Sequence, residues 1–154
     1  MRTHDIRLPL LAIDPGRNVG WALAIGGELA ACGTERNVEW KNVDAVDNLL
    51  ARLPHACAVI AEMPRVYPSV AKWKGDPQHI VRLAMLTGRI VERFAAWAVV
   101  EPKTWQGGSP PERVVRNRTW SRLSVNEKTL IERGSMTSHA WDAIGILLYS
   151  LNRC

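Results

Sequence analysis

The sequence predicts an α/β domain whose mixed five-stranded sheet is flanked by helices and begins with three antiparallel strands. Three apolar runs lie close together near the start of the chain, separated only by Asp14-Pro15-Gly16 and Gly26-Gly27. Further on, apolar residues at helical spacing alternate with short continuous apolar runs. This alternation is typical of strands joined by crossover helices, which arrive parallel to the first strand. A chain of 154 residues with 47% hydrophobic composition suits a single domain over 1–154.

The first three predicted strands are consecutive and antiparallel. They cover Leu10–Ile13, Val19–Ile25 and Glu28–Thr34. A Gly-Gly pair between apolar runs is a strong hairpin signal, and Asp-Pro-Gly is common in turns. We therefore expect two tight connections at the start of the sheet.

The middle of the chain predicts a helix, a strand, a loop, a helix and a strand in turn. They cover Val43–Leu53, Cys57–Ala61, 63–76, Pro77–Ala96 and Trp97–Val100. Asp76 and Pro77 are suited to the N-cap and first turn of the second helix. Gly88 inside that helix costs about 1 kcal/mol relative to alanine, which predicts close approach to another backbone.

The last third of the chain predicts an irregular segment followed by two helices. Residues 106–122 are rich in Gly, Pro and Arg, so they are predicted to be irregular. Ser124 or Asn126 caps a helix that runs to about Arg133. The final helix, Ser138–Leu151, is strongly apolar.

The charge of the chain favours a polyanionic partner. The formal net charge is +5 and the isoelectric point is near 9.5. No acid lies between Arg113 and Arg122, a segment that contains four arginines. A polyanion such as a nucleic acid is therefore the favoured class of partner.

The cysteines and the hydropathy pattern predict a cytoplasmic location. The three cysteines, Cys32, Cys57 and Cys154, have neither paired nor metal-type spacing, which favours a reducing compartment. No apolar run approaches the ~20 residues of a membrane span. The short apolar stretch Leu8–Ile13 lacks the layout of a signal peptide. We expect no membrane partner.

Acidic residues follow two neighbouring strands of the predicted sheet. Asp14 ends the first strand and Glu62 follows the fourth. The crossover helix returns the chain beside its starting strand, so both acids project from one edge of the sheet. An acid at the last buried position of a strand is costly to desolvate unless something binds it. A divalent cation, Mg²⁺ or Mn²⁺, suits such hard oxygen ligands.

A histidine and an aspartate interrupt the apolar final helix. His139 and Asp142 are three residues apart and share one helix face. Each residue also has a simpler interpretation. An aspartate such as Asp14 is common in a turn of the Asp-Pro-Gly type, and Glu62 could be an ordinary surface charge. His139 and Asp142 could interact with the helix dipole at the start of the final helix. The combination nevertheless favours a two-metal site, in which two cations about 4 Å apart activate water and stabilise the leaving oxygen of a phosphodiester.

These motifs resemble those of a known nuclease family. The run Ile13-Asp14-Pro15-Gly16-Arg17-Asn18-Val19-Gly20-Trp21-Ala22 is similar to the first motif of RuvC-type Holliday junction resolvases, within the ribonuclease H-like superfamily. Ile60-Ala61-Glu62 is similar to the second acid of that family, and His139-Ala140-Trp141-Asp142-Ala143 to its last motif. The resemblance covers nearly the whole chain in order and length, and only the combination of motifs is specific.

The resemblance implies a crossover junction endodeoxyribonuclease of DNA recombination and repair. It implies symmetric, paired cleavage of four-way DNA junctions by a homodimer, with two Mg²⁺ ions per active site and Mn²⁺ as a substitute. Asp14, Glu62 and Asp142 correspond to the metal-binding acids. His139 is the fourth site residue, as a metal ligand or a general acid/base, and Lys128 lies near the scissile phosphate.

The resemblance and the basic residues also suggest how DNA is held. An aromatic residue in the loop after the second acid, here Tyr67, is a candidate for the centre of the junction, and Trp73 and Trp120 are candidates for stacking on unpaired bases. The predicted phosphate contacts are Arg65, Lys72, Lys74, Lys103, Arg113, Arg116, Arg118, Arg122 and Lys128. Where the family often has a further lysine this chain has Gln106, with Lys103 nearby. The helix from Pro77 is the expected dimer surface.

Three other functions are compatible with parts of the pattern. A different nuclease on the same fold would act on flaps, other branched DNA, single strands or RNA–DNA hybrids, and the fold alone does not separate these. A non-catalytic nucleic-acid-binding domain would use the basic residues without the acids. A phosphotransferase of the actin or sugar-kinase type would share the first hairpin, but it requires a second phosphate-binding hairpin and about twice the length.

Overall fold

The computed structural model describes residues 9–53, 57–64 and 76–153, and its centre is one five-stranded mixed sheet. The strands are β1 (Leu10–Asp14), β2 (Val19–Ile25), β3 (Glu28–Glu35), β4 (Ala58–Glu62) and β5 (Ala96–Val100). The spatial order is β3-β2-β1-β4-β5. β1, β2 and β3 pair antiparallel, whereas β1, β4 and β5 pair parallel. The predicted fold class is therefore confirmed.

Six helices accompany the sheet within these described residues. They are α1 (Val43–Ala51), α2 (Pro77–Val91), α3 (Pro102–Gln106), α4 (Glu112–Arg122), α5 (Val125–Glu132) and α6 (Ser138–Ser150). The side chain of Asp76 caps α2 as predicted, and Ser124 and Glu127 form a reciprocal capping box at α5. None of the described helices is long and apolar enough to cross a bilayer.

Side-chain alternation in the sheet creates two separate apolar cores. Leu11 and Ile13 of β1 face the layer that contains α1 and α2. Leu10 and Ala12 face the opposite layer, where α6 lies against the sheet. Because side chains alternate along a strand, β1 is buried on both faces, which explains its continuous apolar sequence.

The segment predicted to be irregular, 106–122, is largely helical. α4 occupies Glu112–Arg122, and only Val115 and Thr119 of this helix are buried. The prediction was wrong because the glycines and prolines of this segment all lie before Glu112, and α4 presents too few apolar side chains to show a helical stripe. Arginine and glutamate are good helix formers, and Pro111 directly precedes the first turn.

Two expectations about α2 were wrong, and β5, which follows it, is more exposed than the inner strands. α2 ends at Val91 rather than at Ala96, because a turn separates it from β5. Trp97 is 57% exposed on β5, which is an edge strand. A Cβ atom at Gly88 would meet no atom within 4 Å, so no backbone of the described chain approaches that glycine.

A buried carboxylate anchors α5 to the sheet and to the end of the chain. Glu127, 2% exposed, accepts hydrogen bonds from the backbone N–H of Leu29 at 2.7 Å and of Ser124 at 2.7 Å. Arg153 donates to both of its carboxylate oxygens, at 2.7 and 2.6 Å. Although burial alone raises it, these hydrogen bonds bring the pKa of Glu127 down to about 2. The position of α5 is therefore fixed on several sides.

Candidate active site

Asp14 and His139 form the centre of the candidate site. Asp14 is the last residue of β1 and is 7% exposed. Nδ1 of His139, in the first turn of α6, lies 2.8 Å from a carboxylate oxygen of Asp14. Burial raises the pKa of Asp14, and the hydrogen bond and charge of His139 oppose that effect. The same hydrogen bond raises the pKa of His139. The contact between the two residues therefore favours their charged forms, whereas burial of Asp14 outweighs this and leaves the pKa of its carboxyl raised.

Gly20 allows α6 to reach Asp14. A Cβ atom at Gly20 would overlap the backbone carbonyl of His139, so only glycine fits between β2 and the start of α6. The side chain of Thr137 caps α6 by accepting a hydrogen bond from Ala140 N–H. It also forms a hydrogen bond with the hydroxyl of Thr34 on β3. These contacts fix the helix end that presents His139 to the sheet.

Trp105 orients the second acid, Glu62. The indole N–H of Trp105 donates to a carboxylate oxygen of Glu62 at 2.6 Å. Trp105 is 2% exposed and lies on the short helix α3. A Cβ atom at Gly145 of α6 would overlap the Trp105 ring, so this glycine provides the space that the ring occupies. A tryptophan on one element and a glycine on another thus hold Glu62 at the end of β4.

Asp142 completes the acidic set and lies near an ion pair. Burial, followed by the charge of Asp14, raises the pKa of Asp142 to about 7. The charge of Glu112 adds to this effect, and Arg116 opposes it. Arg116 and Glu112 form a 2.7 Å ion pair one turn apart on α4, the helix that packs beside α6. The start of α4 therefore faces the candidate site.

The site concentrates negative charge at the ends of β1 and β4. The pKa of Glu62 is raised to about 7, first by burial and then by the charge of Asp14, while the Trp105 hydrogen bond opposes both. Acids whose pKa values are raised by burial and by one another favour protonation or a bound cation. The structure therefore brings together the four predicted residues, Asp14, Glu62, His139 and Asp142, in one electrostatically coupled group.

The chemistry of this donor set fits a hard divalent cation. Three carboxylates and an imidazole are suitable ligands for Mg²⁺ or Mn²⁺. Within residues 9–53, 57–64 and 76–153, no three His, Cys, Asp or Glu side chains stand in an arrangement that already holds one ion.

The other predicted site residues lie in several places. The amine of Lys128 lies 5.5 Å from the centre of the Trp120 ring, and this contact does not involve the four central residues. Arg118 is held internally, because it donates to the backbone carbonyls of Trp105 and Gln106. Exposed basic residues of α3 and α4 are Lys103, Arg113, Arg116 and Arg122. Outside the described residues are Arg65, Tyr67, Lys72, Trp73 and Lys74.

Sequence reasoning missed three residues that build the site. Trp105 was visible only as an aromatic residue shortly after the end of β5 and Pro102, and that position alone does not indicate a functional role. Gly20 and Gly145 were visible as glycines inside a strand and an apolar helix, positions where glycine is unfavourable without a reason. Both glycines permit a close approach that periodicity does not reveal.

Replacing Trp105 by Phe is expected to lower any metal-dependent activity by about tenfold, because one hydrogen bond to a charged group is lost. Phe keeps most of the ring but removes the N–H that lowers the pKa of Glu62. The acidic limb of a pH–rate profile should therefore move to higher pH. Single-turnover rates across pH 5.5–9 measure this shift. An unchanged profile would contradict a positioning role for Trp105.

Without a divalent cation, the protein is expected to melt a few degrees lower at pH 8 than at pH 5.5. Glu62 and Asp142 have pKa values raised in the folded state, so their contribution to stability falls as pH rises from about 4.5 through about 7. The raised pKa of His139 acts in the same direction above 6.5. The lowered pKa of Glu127 changes stability only below pH 4.5.

Added Mg²⁺ should raise the melting temperature more at pH 8 than at pH 5.5, because protons compete with the metal for the same carboxylates. Differential scanning fluorimetry at both pH values measures the effect. The Asp14→Asn variant serves as the control, since it should lose most of the Mg²⁺ response. Equal stabilisation of both proteins would contradict a metal site at Asp14.

Solved structures of Holliday junction resolvases share this fold. T. thermophilus RuvC in complex with a Holliday junction substrate matches with a TM-score of 0.63 and 17% identity, over 92% of this chain and 90% of that chain. A second Thermus thermophilus RuvC structure matches with a TM-score of 0.57 and 18% identity, over 92% of each chain. The fowlpox virus Holliday junction resolvase matches with a TM-score of 0.56 and 13% identity, over 94% of this chain and 98% of that chain.

The similarity lies in structure rather than in sequence. No family profile and no curated protein matches the chain. The expectation drawn from the three short motifs is confirmed at the level of fold, because both RuvC structures and the viral resolvase cover at least nine-tenths of this chain. The chain therefore has the mixed five-stranded, ribonuclease H-like fold of RuvC resolvases.

Proposed function

We propose that this protein is a metal-dependent endonuclease that resolves four-way DNA junctions by paired, symmetric phosphodiester hydrolysis. The observation that carries the proposal is the convergence of Asp14, Glu62, His139 and Asp142 at one edge of the sheet in a resolvase fold. A basic chain of net charge +5 is suited to a DNA substrate. The junction itself is proposed from the resemblance in fold to the RuvC–junction complex.

The side chains of the site divide into metal ligands and a proton carrier. Asp14, Glu62 and Asp142 would hold Mg²⁺, which supplies Lewis-acid activation of water and stabilises charge on the phosphodiester. Because Nδ1 of His139 faces Asp14, Nε2 is the ring atom that can exchange a proton with the attacking water or the leaving oxygen. The acids and His139 would thus act together on one phosphate.

Paired incision requires two active sites, and we propose that a homodimer supplies them. On the outer side of α2, Val81 is 52% exposed and Met85 is 48% exposed, and Gly88 has open space around it. On β5, Trp97 and Val99 are 57% and 43% exposed. Exposed apolar groups of this kind favour a self-complementary, two-fold interface.

Replacing Met85 by Glu is expected to convert a dimer into monomers, because two charges would be buried against each other near a two-fold axis. Sedimentation velocity measures the association state, and the junction should then be nicked in one strand at a time. Ala51→Glu places the same charge on exposed α1 and should leave the dimer intact. A Met85→Glu protein that sediments unchanged would contradict an interface on α2.

A substrate panel tests the proposed function. An immobile four-way junction, a flap, an RNA–DNA hybrid and a linear duplex are incubated with the protein in Mg²⁺, in Mn²⁺ and in EDTA. We expect preferential cleavage of the junction that requires the metal. Preferential cleavage of the flap or hybrid would leave the metal site in place but overturn the junction as substrate. Binding without cleavage in either metal would overturn the enzymatic function and indicate a binding domain.

A further inference from the structure

Two cations and two tryptophans form a connected cluster on α4, α5 and α6. The guanidinium of Arg116 lies 5.7 Å from the centre of the Trp141 ring. Trp141 and Trp120 meet edge to face with their ring centres 6.0 Å apart. The amine of Lys128 lies 5.5 Å from the centre of the Trp120 ring. We call these four residues the cation–tryptophan cluster.

One end of this cluster adjoins the candidate active site. Trp141 directly precedes Asp142 on α6. Arg116 lies close enough to Asp142 for its positive charge to lower the pKa of that carboxyl. The other end is held by α5, where Lys128 directly follows the buried and fully bonded Glu127. The cluster therefore begins at the acids and leads away from them across fixed helices.

Phosphate groups suit this cluster better than stacked bases do. Both tryptophans are half-buried and pack against the core, and Arg116 and Lys128 already contact their rings. A cation that rests on an aromatic ring is attracted by the ring quadrupole and loses less side-chain freedom when it binds an anion. The side chain of Arg116 remains 43% exposed, so its donors can reach a ligand.

The contacts within the cluster limit the distance between its two cations. The three contacts that connect Arg116 to Lys128 each span between 5.5 and 6.0 Å, so the two cations lie no further apart than these contacts placed end to end. Charges on one strand of DNA recur every ~3.4 Å along the helix axis. Phosphates a few nucleotides apart on the same strand fall within that limit.

We infer that the cation–tryptophan cluster binds the backbone of the DNA strand that enters the active site, with Arg116 at a phosphate next to the cleaved one and Lys128 at a phosphate further along. This inference rests on the proposed function, since it assumes a DNA substrate at the four central residues. It assigns Lys128 to a phosphate along the strand rather than to the reacting phosphate. It also assigns Trp120 and Trp141 to positioning the cations rather than to stacking on bases.

Glu112 opposes the inferred contact and offers a variant that should increase binding. Its carboxylate forms a 2.7 Å ion pair with Arg116 and would repel a nearby phosphate. Glu112→Gln removes the negative charge but keeps a similar shape. This variant is expected to bind DNA several-fold more tightly at about 0.1 M salt, where charges within about 10 Å still interact.

Equilibrium binding to a fluorescent four-way junction tests the inference in an Asp14→Asn background, where no cleavage interferes. Arg116→Gln and Lys128→Gln are each expected to reduce the slope of log K against log salt by about 0.7 to 0.9, and the double variant by about twice as much. The matched control is Arg93→Gln, which removes an arginine that follows α2 and pairs with Asp47 of α1, on the opposite face of the sheet from α6. Arg93→Gln should leave the slope unchanged.

A double-mutant cycle tests whether the cluster acts as a unit. Trp120→Leu keeps an apolar side chain but removes the ring beneath Lys128. If the ring positions the amine, the loss of binding free energy in the Trp120→Leu/Lys128→Gln double variant should be clearly less than the sum of the losses in the two single variants. Melting curves check that each variant is folded. Glu112→Gln provides an independent test, because it is expected to increase binding and removes no packed side chain.

The possible failures are distinguishable. Unchanged slopes for Arg116→Gln and Lys128→Gln in the Asp14→Asn background, together with metal-dependent junction cleavage by the protein that keeps Asp14, would overturn the inferred path and leave the proposed function standing. Fully additive losses in the Trp120–Lys128 cycle would overturn the positioning role of the tryptophan. A protein that binds no DNA would overturn both the inference and the proposed function.

Discussion

Replacing Asp14 by Asn is expected to abolish cleavage of branched DNA while DNA binding is retained. Asp14 is the most buried of the four central residues and contacts His139 at 2.8 Å. Its charge also raises the pKa of both Glu62 and Asp142, so it couples the whole site. Removing one member of such a unit typically costs about 10³-fold or more in rate. Single-turnover cleavage of a four-way junction measures the loss.

The same variant should not unfold the protein. Burial of the Asp14 charge is unfavourable, and asparagine is neutral and of similar shape. A melting temperature within a few degrees of the wild type is therefore the expected control result in metal-free buffer. Substantial residual cleavage by a folded Asp14→Asn protein would contradict the assignment of Asp14 to the site.

Replacing Gly20 by Ala is expected to damage both the fold and the site. The added methyl group would overlap the backbone carbonyl of His139, and neither β2 nor the start of α6 can move as a side chain does. Overpacking of this kind typically costs about 1 to 3 kcal/mol, and we expect at least the upper end because the obstacle is backbone. α6 would move away from β1, and His139 would move away from Asp14.

Chemical denaturation and junction cleavage measure the two effects of Gly20→Ala. The matched control for the denaturation measurement is Gly88→Ala on α2, where the added methyl group meets no atom of the described chain within 4 Å. Alanine is more favourable than glycine inside a helix by about 1 kcal/mol, so Gly88→Ala should stabilise the fold slightly. Equal stability of the Gly20→Ala protein and the wild type would contradict the close approach of α6 and β2.

The central sheet could be predicted because its signals are local. Asp14-Pro15-Gly16 and Gly26-Gly27 mark the first turns, and β1 and β4 are continuous apolar runs. The parallel pairing of β1 with β4 follows from the rule for crossover connections, and the structure confirms it. That pairing is what brings Asp14 and Glu62 to the same edge.

The segment between β5 and α5 was less predictable because its longer helix, α4, is not amphipathic. α4 is rich in arginine and buries only Val115 and Thr119, so periodicity gave no signal there. Trp105 contacts Glu62 across 43 residues of sequence, and no local pattern encodes such a partnership. The acids and His139 were visible as polar residues in apolar elements, whereas the residues that position them were not.

Mapping of nicks in a four-way junction is the first experiment for metal-dependent, paired cleavage at the site of Asp14. Each of the four strands is labelled in turn, and the wild type and Asp14→Asn are compared in Mg²⁺ and in EDTA. We predict nicks at symmetric positions in two opposing strands, present only for the wild type with Mg²⁺. Nicks that persist in EDTA or in Asp14→Asn, or an uncut junction that the wild type binds tightly in Mg²⁺, would contradict this prediction.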